Sequence, residues 1–190
     1  MSPVLGIIAS SNQQGRGGGP VSAYDALATV TVSSGGLSSV TFAGIPVGYQ
    51  HLQLRGFHRT SNTGSSNWHA LIRFNNDSGN NYTWHGLRGD GTSAISYNAT
   101  SQVYGLSIIS GDEVNTALSW GAGVVDILDY ANTNKNKTIR TLTGFDENGQ
   151  GMIELLSSLW QNTSAVTSIT LFPSSGTFLQ NSSFALYGVK

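Results

Sequence analysis

Cysteine is absent from this 190-residue chain. That removes disulfide bonds and every metal site that needs a thiolate. Charge is also scarce: Asp, Glu, Lys and Arg make up 10% of the residues, where an ordinary globular protein has about a quarter. The formal net charge is −1 and no Lys/Arg cluster is present, so a nucleic-acid partner, whose tight binding needs several phosphate contacts, is disfavoured. A surface this weakly charged has little colloidal repulsion, which suits a subunit held in an assembly. No apolar run approaches the roughly 18–20 residues of a membrane span, so insertion into a bilayer is not expected. The short apolar run Val4–Ile8 has no positive flank and is too brief for a signal peptide's apolar segment. Asn-x-Ser/Thr sequons begin at Asn76, Asn81, Asn98, Asn136, Asn162 and Asn181, a frequency that follows from the composition.

Polarity comes instead from Ser, Thr, Asn, Gln and 24 Gly, set among four Trp, seven Tyr and seven Phe. Short apolar runs separated by turn residues predict an all-β protein, a β-sandwich or jelly-roll-like domain of roughly ten strands with an extended N-terminal arm. The length suits one such domain with a sizeable core. Residues 1–24 read as a docking arm and linker, and residues 25–190 as the sandwich. In the arm, Val4, Leu5, Ile7 and Ile8 form an apolar tag ahead of the Gly-rich stretch SSNQQGRGGGP, which cannot build a core. Such a tag can dock on a neighbouring subunit as an added strand.

The pattern beyond the arm is strand, turn, strand. Leu27–Val32 and Ser39–Phe42 flank the turn SSGGL and predict a hairpin. In His51–Thr60, Leu52 and Leu54 share one face, with Gln53, Arg55 and Phe57 on the other. Trp68, Ala70, Ile72 and Phe74 alternate with His69, Leu71 and Arg73. Thr92–Gln102 reads as a looser Ser-rich region, and Ser157–Asn162 as a loop carrying a partly buried Trp160. Gly121–Tyr130 and Lys137–Gly144, joined by the polar loop ANTNKNK, predict a central hairpin. Val125 and Ile127 share one of its faces and Val124, Leu128 and Tyr130 the other, the mark of a strand inside a sheet. Asp126 and Asp129 then need partners, and with Lys135 and Lys137 they form a candidate structural polar network.

The tag Val4–Ile8 with its Gly-rich follow-on, SSVTFAGIPVGYQHLQLRG (Ser38–Gly56), VDILDYANTNKNKTIRTLTG (Val125–Gly144) and AVTSITLFPSSGTFLQNSSFALYGVK (Ala165–Lys190) occur in that order. Together they resemble a family of small tailed-bacteriophage virion proteins of aquatic-bacterium phages. The resemblance covers about half the chain. It implies a β-sandwich displayed on the particle surface as a head-decoration (cement) protein or a tail-fibre component, made in the host cytoplasm and located on the virion. It implies as partners copies of the chain itself, expected as a trimer, and other capsid or tail proteins. Residues Thr60–Trp120 match only in outline.

The residues offer little catalytic chemistry. There is no G-x-S-x-G, and four scattered histidines stand in no recognisable relation to a serine. Asp126 and Asp129 are three positions apart, so a regular strand sends them to opposite faces and denies them the pairing of a glycosidase. Asp146, Glu147 and Glu154 read as turn and strand-edge charges. His58, His69 and His85 could form an imidazole metal site if their strands were neighbours, though no H-x-H or H-E-x-x-H spacing requires it. His51 reads as structural. Asp77, among Asn75, Asn76, Asn80 and Asn81, fits an Asx-rich turn better than a Ca²⁺ loop with its several carboxylates. Arg88-Gly89-Asp90 reads as a turn. No cofactor and no metal are expected, and no enzymatic activity.

Glycan binding is the alternative function, that of a receptor-binding tail-fibre module gripping host-surface glycan. Trp68, Tyr82, Trp84, Tyr97, Tyr104 and Trp120 cluster in the middle of the chain beside Asn, Asp and His. Sugar rings need a flat apolar face and hydrogen-bond partners. Tyr97, Trp84, His85 and Tyr104 are the candidate glycan-facing set, while alternation places Trp68 in the core.

Overall fold

The structure, a computed structural model, describes residues 22–62, 69–110, 119–147, 149 and 151–190, with the backbone of Val4–Gly6. Ile7, Ile8 and Trp68 lie outside the described residues. Thirteen strands are present among them: β1 (Val4–Gly6), β2 (Tyr24–Thr31), β3 (Val40–Ala43), β4 (His51–His58), β5 (His69–Phe74), β6 (Tyr82–Gly89), β7 (Ala94–Gln102), β8 (Gly105–Ile109), β9 (Gly121–Leu128), β10 (Lys137–Asp146), β11 (Gly151–Trp160), β12 (Ser168–Pro173) and β13 (Ser183–Val189). They build an all-β sandwich from a five-stranded sheet, β1-β3-β12-β5-β8, and an eight-stranded sheet, β2-β13-β4-β9-β10-β11-β6-β7.

Every pairing is antiparallel except that of β1, where Val4–Gly6 lies parallel to Thr41–Ala43 of the chain's own β3. Val4 and Leu5 of the tag thus sit on the edge of the small sheet. The core is made by alternate residues of the two inner faces. Leu52 and Leu54 of β4, Val125 and Ile127 of β9, and Ile139 of β10 meet Phe42, Ala70, Ile72, Phe74, Ile169 and Leu171 of the small sheet. A second cluster forms where the β11-β6-β7 end of the large sheet meets the β5-β8 end of the small one. There Trp84 and Leu156 pack on Leu71 and Leu106, with Tyr104 stacked on Trp84 at 5.6 Å.

Several expectations are corrected. The SSGGL turn exists, with Gly35 and Gly36 at positive φ. The strands beside it do not pair: β2 joins β13 in the large sheet and β3 joins β12 and β1 in the small one. The Ser-rich region is strand β7, an edge strand that hydrophobicity could not reveal because it buries little. Ser157–Trp160 is not a loop but the end of ten-residue β11, and Trp160 is fully buried. Its indole Nε1 donates to the Asp77 carboxylate at 2.7 Å.

The central hairpin forms as its pattern predicts, with Ile139 opposite Ile127 and Leu142 opposite Val124. The predicted first strand ends two residues early. Asp129 adopts φ 47°, which breaks the alternation and turns Tyr130 into the core. The Tyr130 hydroxyl there donates to the Pro46 carbonyl. At the other end of β9, Gly121 is required by close approach. A Cβ at this position would lie 1.8 Å from the carbonyl oxygen of Ile109.

Candidate interaction surface

The outer face of the large sheet carries three ranks of side chains, set by strand register. One rank runs Arg55, Val124, Leu142, Leu155, Leu87, Ser96 across β4-β9-β10-β11-β6-β7. On one side of it run Phe57, Ala122, Gly144, Ile153, Gly89 and Ala94; on the other, Gln53, Asp126, Arg140, Ser157, His85 and Asn98. The middle of the first rank is four aliphatic side chains on four adjacent strands. Leu87, Leu142 and Leu155 are each 56% exposed, Ile153 in the next rank 61%, and Val124 36%.

These five side chains expose on the order of 500 Å² of contiguous apolar surface, near the top of what a monomer carries as its largest patch. Covering it is worth on the order of 10 kcal/mol by area, comparable with the cost of bringing two molecules together. Two shallow depressions lie on this face. One of about 610 Å³ is lined by Ala122, Val124, Leu142, Gly144, Met152 and Ile153, among others. The second, about 450 Å³, is lined by His85, Leu87, Arg140, Leu155 and Ser157, among others. At the edge of the first rank's neighbour, Phe57 stacks on Trp120 with ring centroids 5.0 Å apart and planes 12° from parallel.

The candidate polar network does not act as one unit. Asp126 lies on the outer face, where it accepts from Gln53 Nε2 at 2.9 Å, and Gln53 in turn accepts from Arg55 Nε. Asp129 closes the following turn through Lys135, while His51 Nδ1 accepts from the Asp129 amide. The bond from Lys135 holds the Asp129 carboxyl below its usual value. Lys137 touches neither aspartate. Its buried Nζ donates to the carbonyls of Asn132, Lys135 and Thr163 at 2.6, 2.9 and 2.9 Å, pinning the ANTNKNK loop from beneath. Burial, and then the charge of Lys135, lowers its pKa.

The four glycan-facing candidates do not share a surface. Trp84 faces inward and is buried, and Tyr104 is stacked on it. Tyr97 lies over Gly86, whose missing Cβ makes the room: one built there would meet the phenol carbon Cζ at 2.4 Å. Only His85 faces outward, because alternation along β6 sends it to the face opposite Trp84. The histidines do not converge either. Among the described residues no three His, Asp or Glu groups are placed to hold a metal ion.

Glu154 overturns its reading as a strand-edge charge. It is buried, and its Oε2 lies 2.6 Å from Nε2 of buried His69, joining β11 to β5 across the sandwich. The Tyr97 phenol stands near this carboxylate; burial first, and then the Glu154 carboxylate, push it well above its usual pKa. An imidazole–carboxylate pair is the orienting half of many catalytic sites, but here other residues line both depressions and the pair fastens one sheet to the other. Its signal was in the sequence. If Trp160 is buried in a strand, Ser158, Leu156 and Glu154 share its face. His58 is buried between Phe178 and Phe184, at 5.4 and 5.5 Å between ring centroids, with both ring nitrogens unpartnered. Burial, together with the charge of His69, lowers its pKa to about 3.

The Asn75–Asn81 segment is an Asx turn. Asn75 and Asn76 take positive φ, and the Asp77 carboxylate accepts from the Gly79 amide, Asn81 Nδ2 and Trp160 Nε1. Burial alone would raise the Asp77 pKa; these donors outweigh it and lower it. Comparison with protein-family models, with curated proteins and with solved structures finds no match to this chain.

Proposed function

We propose that this chain is a non-enzymatic structural subunit of a bacteriophage particle, displayed on the head or tail and held by contacts with neighbouring subunits. The observation that carries the assembly part is the outer face of the large sheet, where Val124, Leu142, Leu155, Leu87 and Ile153 form one exposed apolar field. A free protein at high concentration gains nothing from such a field, whereas a subunit buries it. The low charge of the chain supports the same reading. The phage setting comes from the resemblance of the four sequence stretches to virion proteins. In this reading the N-terminal tag, paired here with the chain's own β3, acts as the docking arm by exchanging onto the same sheet edge of a neighbour, and the sandwich packs against its neighbours.

The test is to purify particles, identify the chain by mass spectrometry and locate it in a map of the intact virion. Deleting residues 1–20 should abolish attachment while the sandwich still folds. Absence from purified particles would overturn the proposal, and turnover of host polysaccharide by the purified chain would overturn its non-enzymatic part.

A second reading, a receptor-binding module for host-surface glycan, draws on the Phe57–Trp120 stack. Phe57 is exposed and Trp120 half-buried, and a pair of parallel rings at the surface is the platform that a sugar ring packs on. Binding of purified protein to host cells, lost in Trp120→Ala, would favour it over the purely structural role.

A further inference from the structure

We infer that the outer face of the large sheet packs against the same face of a second copy of this chain, about a two-fold axis running along the strands midway between β10 and β11. The inference rests on the assembly reading above and names what covers the face.

Such an axis keeps each rank facing itself while reversing the order of strands, so β10 of one copy faces β11 of the other and β9 faces β6. Register then decides what meets what. In the apolar rank Leu142 falls opposite Leu155, Val124 opposite Leu87, and Arg55 opposite Ser96. In the polar rank Asp126 falls opposite His85, Arg140 opposite Ser157, and Gln53 opposite Asn98. The third rank sets Ile153, the most exposed side chain of the field, opposite Gly144, where the sheet has no side chain.

The other candidate axes do worse. Centring the two-fold on β10 would lay Arg140 on its own symmetry mate. A two-fold running across the strands would press the rank of Asp126 and Arg140 onto that of Ala122, Gly144 and Ile153, leaving charges desolvated and unpaired. Only the midway axis sets every aliphatic side chain of the first rank against another and opposes no like charges. Six strands and three ranks span about 30 Å by 20 Å, or ~600 Å² per copy and ~1,200 Å² in total. That meets the lower bound of a specific interface.

The chain has no native cysteine, so single introduced thiols are unambiguous reporters in the full chain. Val124 and Leu87 of opposite copies should face each other across sheets about 10 Å apart, whereas Val124 and its own mate are offset by about 14 Å more along the sheet. A mixture of Val124→Cys and Leu87→Cys proteins should therefore be joined by a bismaleimide of about 8 Å, and neither protein alone. In sedimentation equilibrium the unmodified chain should dimerise. Leu142→Lys, at an exposed position that leaves the fold intact, should weaken dimerisation by at least ~100-fold.

A chain that stays monomeric at ~100 μM, or one in which each thiol variant cross-links only to itself, would overturn the pairing. If the chain is monomeric yet this face becomes protected from hydrogen exchange in the particle, the second-copy assignment falls and the assembly reading stands. A face left open in both states would defeat both.

Discussion

Acid should weaken this protein through His58. Its imidazole is buried between Phe178 and Phe184, both nitrogens lack a partner, and its pKa is lowered to about 3 by burial and by the charge of His69. In the unfolded chain the same group titrates near 6.5. The folded value is the depressed one, so the unfolded state binds the extra proton between about pH 6.5 and 3. The contribution of the neutral ring to stability is complete above about pH 6.5 and is lost as pH falls through that window.

At pH 5 the loss from this residue is about 2 kcal/mol, a large share of the 5–15 kcal/mol that holds a domain of this size. The assay is urea unfolding at pH 7.5 and pH 5 for the parent chain and for His58→Phe, which keeps a ring between the two phenylalanines. The parent should lose about 2 kcal/mol more than the variant between the two pH values. If the two proteins lose the same amount, the imidazole is not held neutral by its cage and the reasoning fails.

Lys137→Met should cost about 3 kcal/mol in chemical unfolding, since three bonds from a buried ammonium are lost and water can reach only part of the carbonyl set; a loss under about 1 kcal/mol would show that the loop does not need the staple. Glu154→Gln breaks the buried contact between Glu154 and His69 that joins the two sheets, and a loss of about 2–4 kcal/mol is expected, measured by the same method. Gly121→Ala drives a methyl into the Ile109 carbonyl and should lower the melting temperature in calorimetry by the equivalent of at least about 1–3 kcal/mol. In a carboxyl NMR titration Asp129 should protonate below the ordinary aspartate value of 3.8, and Lys135→Met should move it back up. Because its folded value is the lowered one, its contribution is present above the unfolded value and is lost as pH falls through the folded one.

Much of the fold was legible from alternation. The β9–β10 hairpin is local, and its apolar residues fall at every second position, so both the strand pair and the inward set of Val125 and Ile127 could be read directly. Leu52 and Leu54 on one face of β4, with Gln53, Arg55 and Phe57 on the other, were equally plain. The SSGGL turn was read as a hairpin because a turn signal reports only a change of direction. Whether the chain comes back to the same sheet or crosses to the other depends on where β12 and β13 lie, more than a hundred residues away. The glycan quartet failed for a related reason. Tyr97, Trp84 and Tyr104 look like surface aromatics in a Ser-rich stretch, but the far end of the large sheet meets the small one and buries or stacks them in a second cluster.

The class of fold, the inward residues of the strands that alternation could bound and the scarcity of charge are all read from the chain alone, because a period of two and a composition are local properties that no partner strand can alter. Which strands are neighbours is a property of the folded chain. That choice carried Glu154 into contact with His69, shut His58 among phenylalanines, and aligned Val124, Leu142, Leu155 and Leu87 into a single exposed rank. Each of those four is an unremarkable strand residue in the chain. Register sets them side by side, and register is fixed by burial of the opposite face, where a slip of one residue would expose the core.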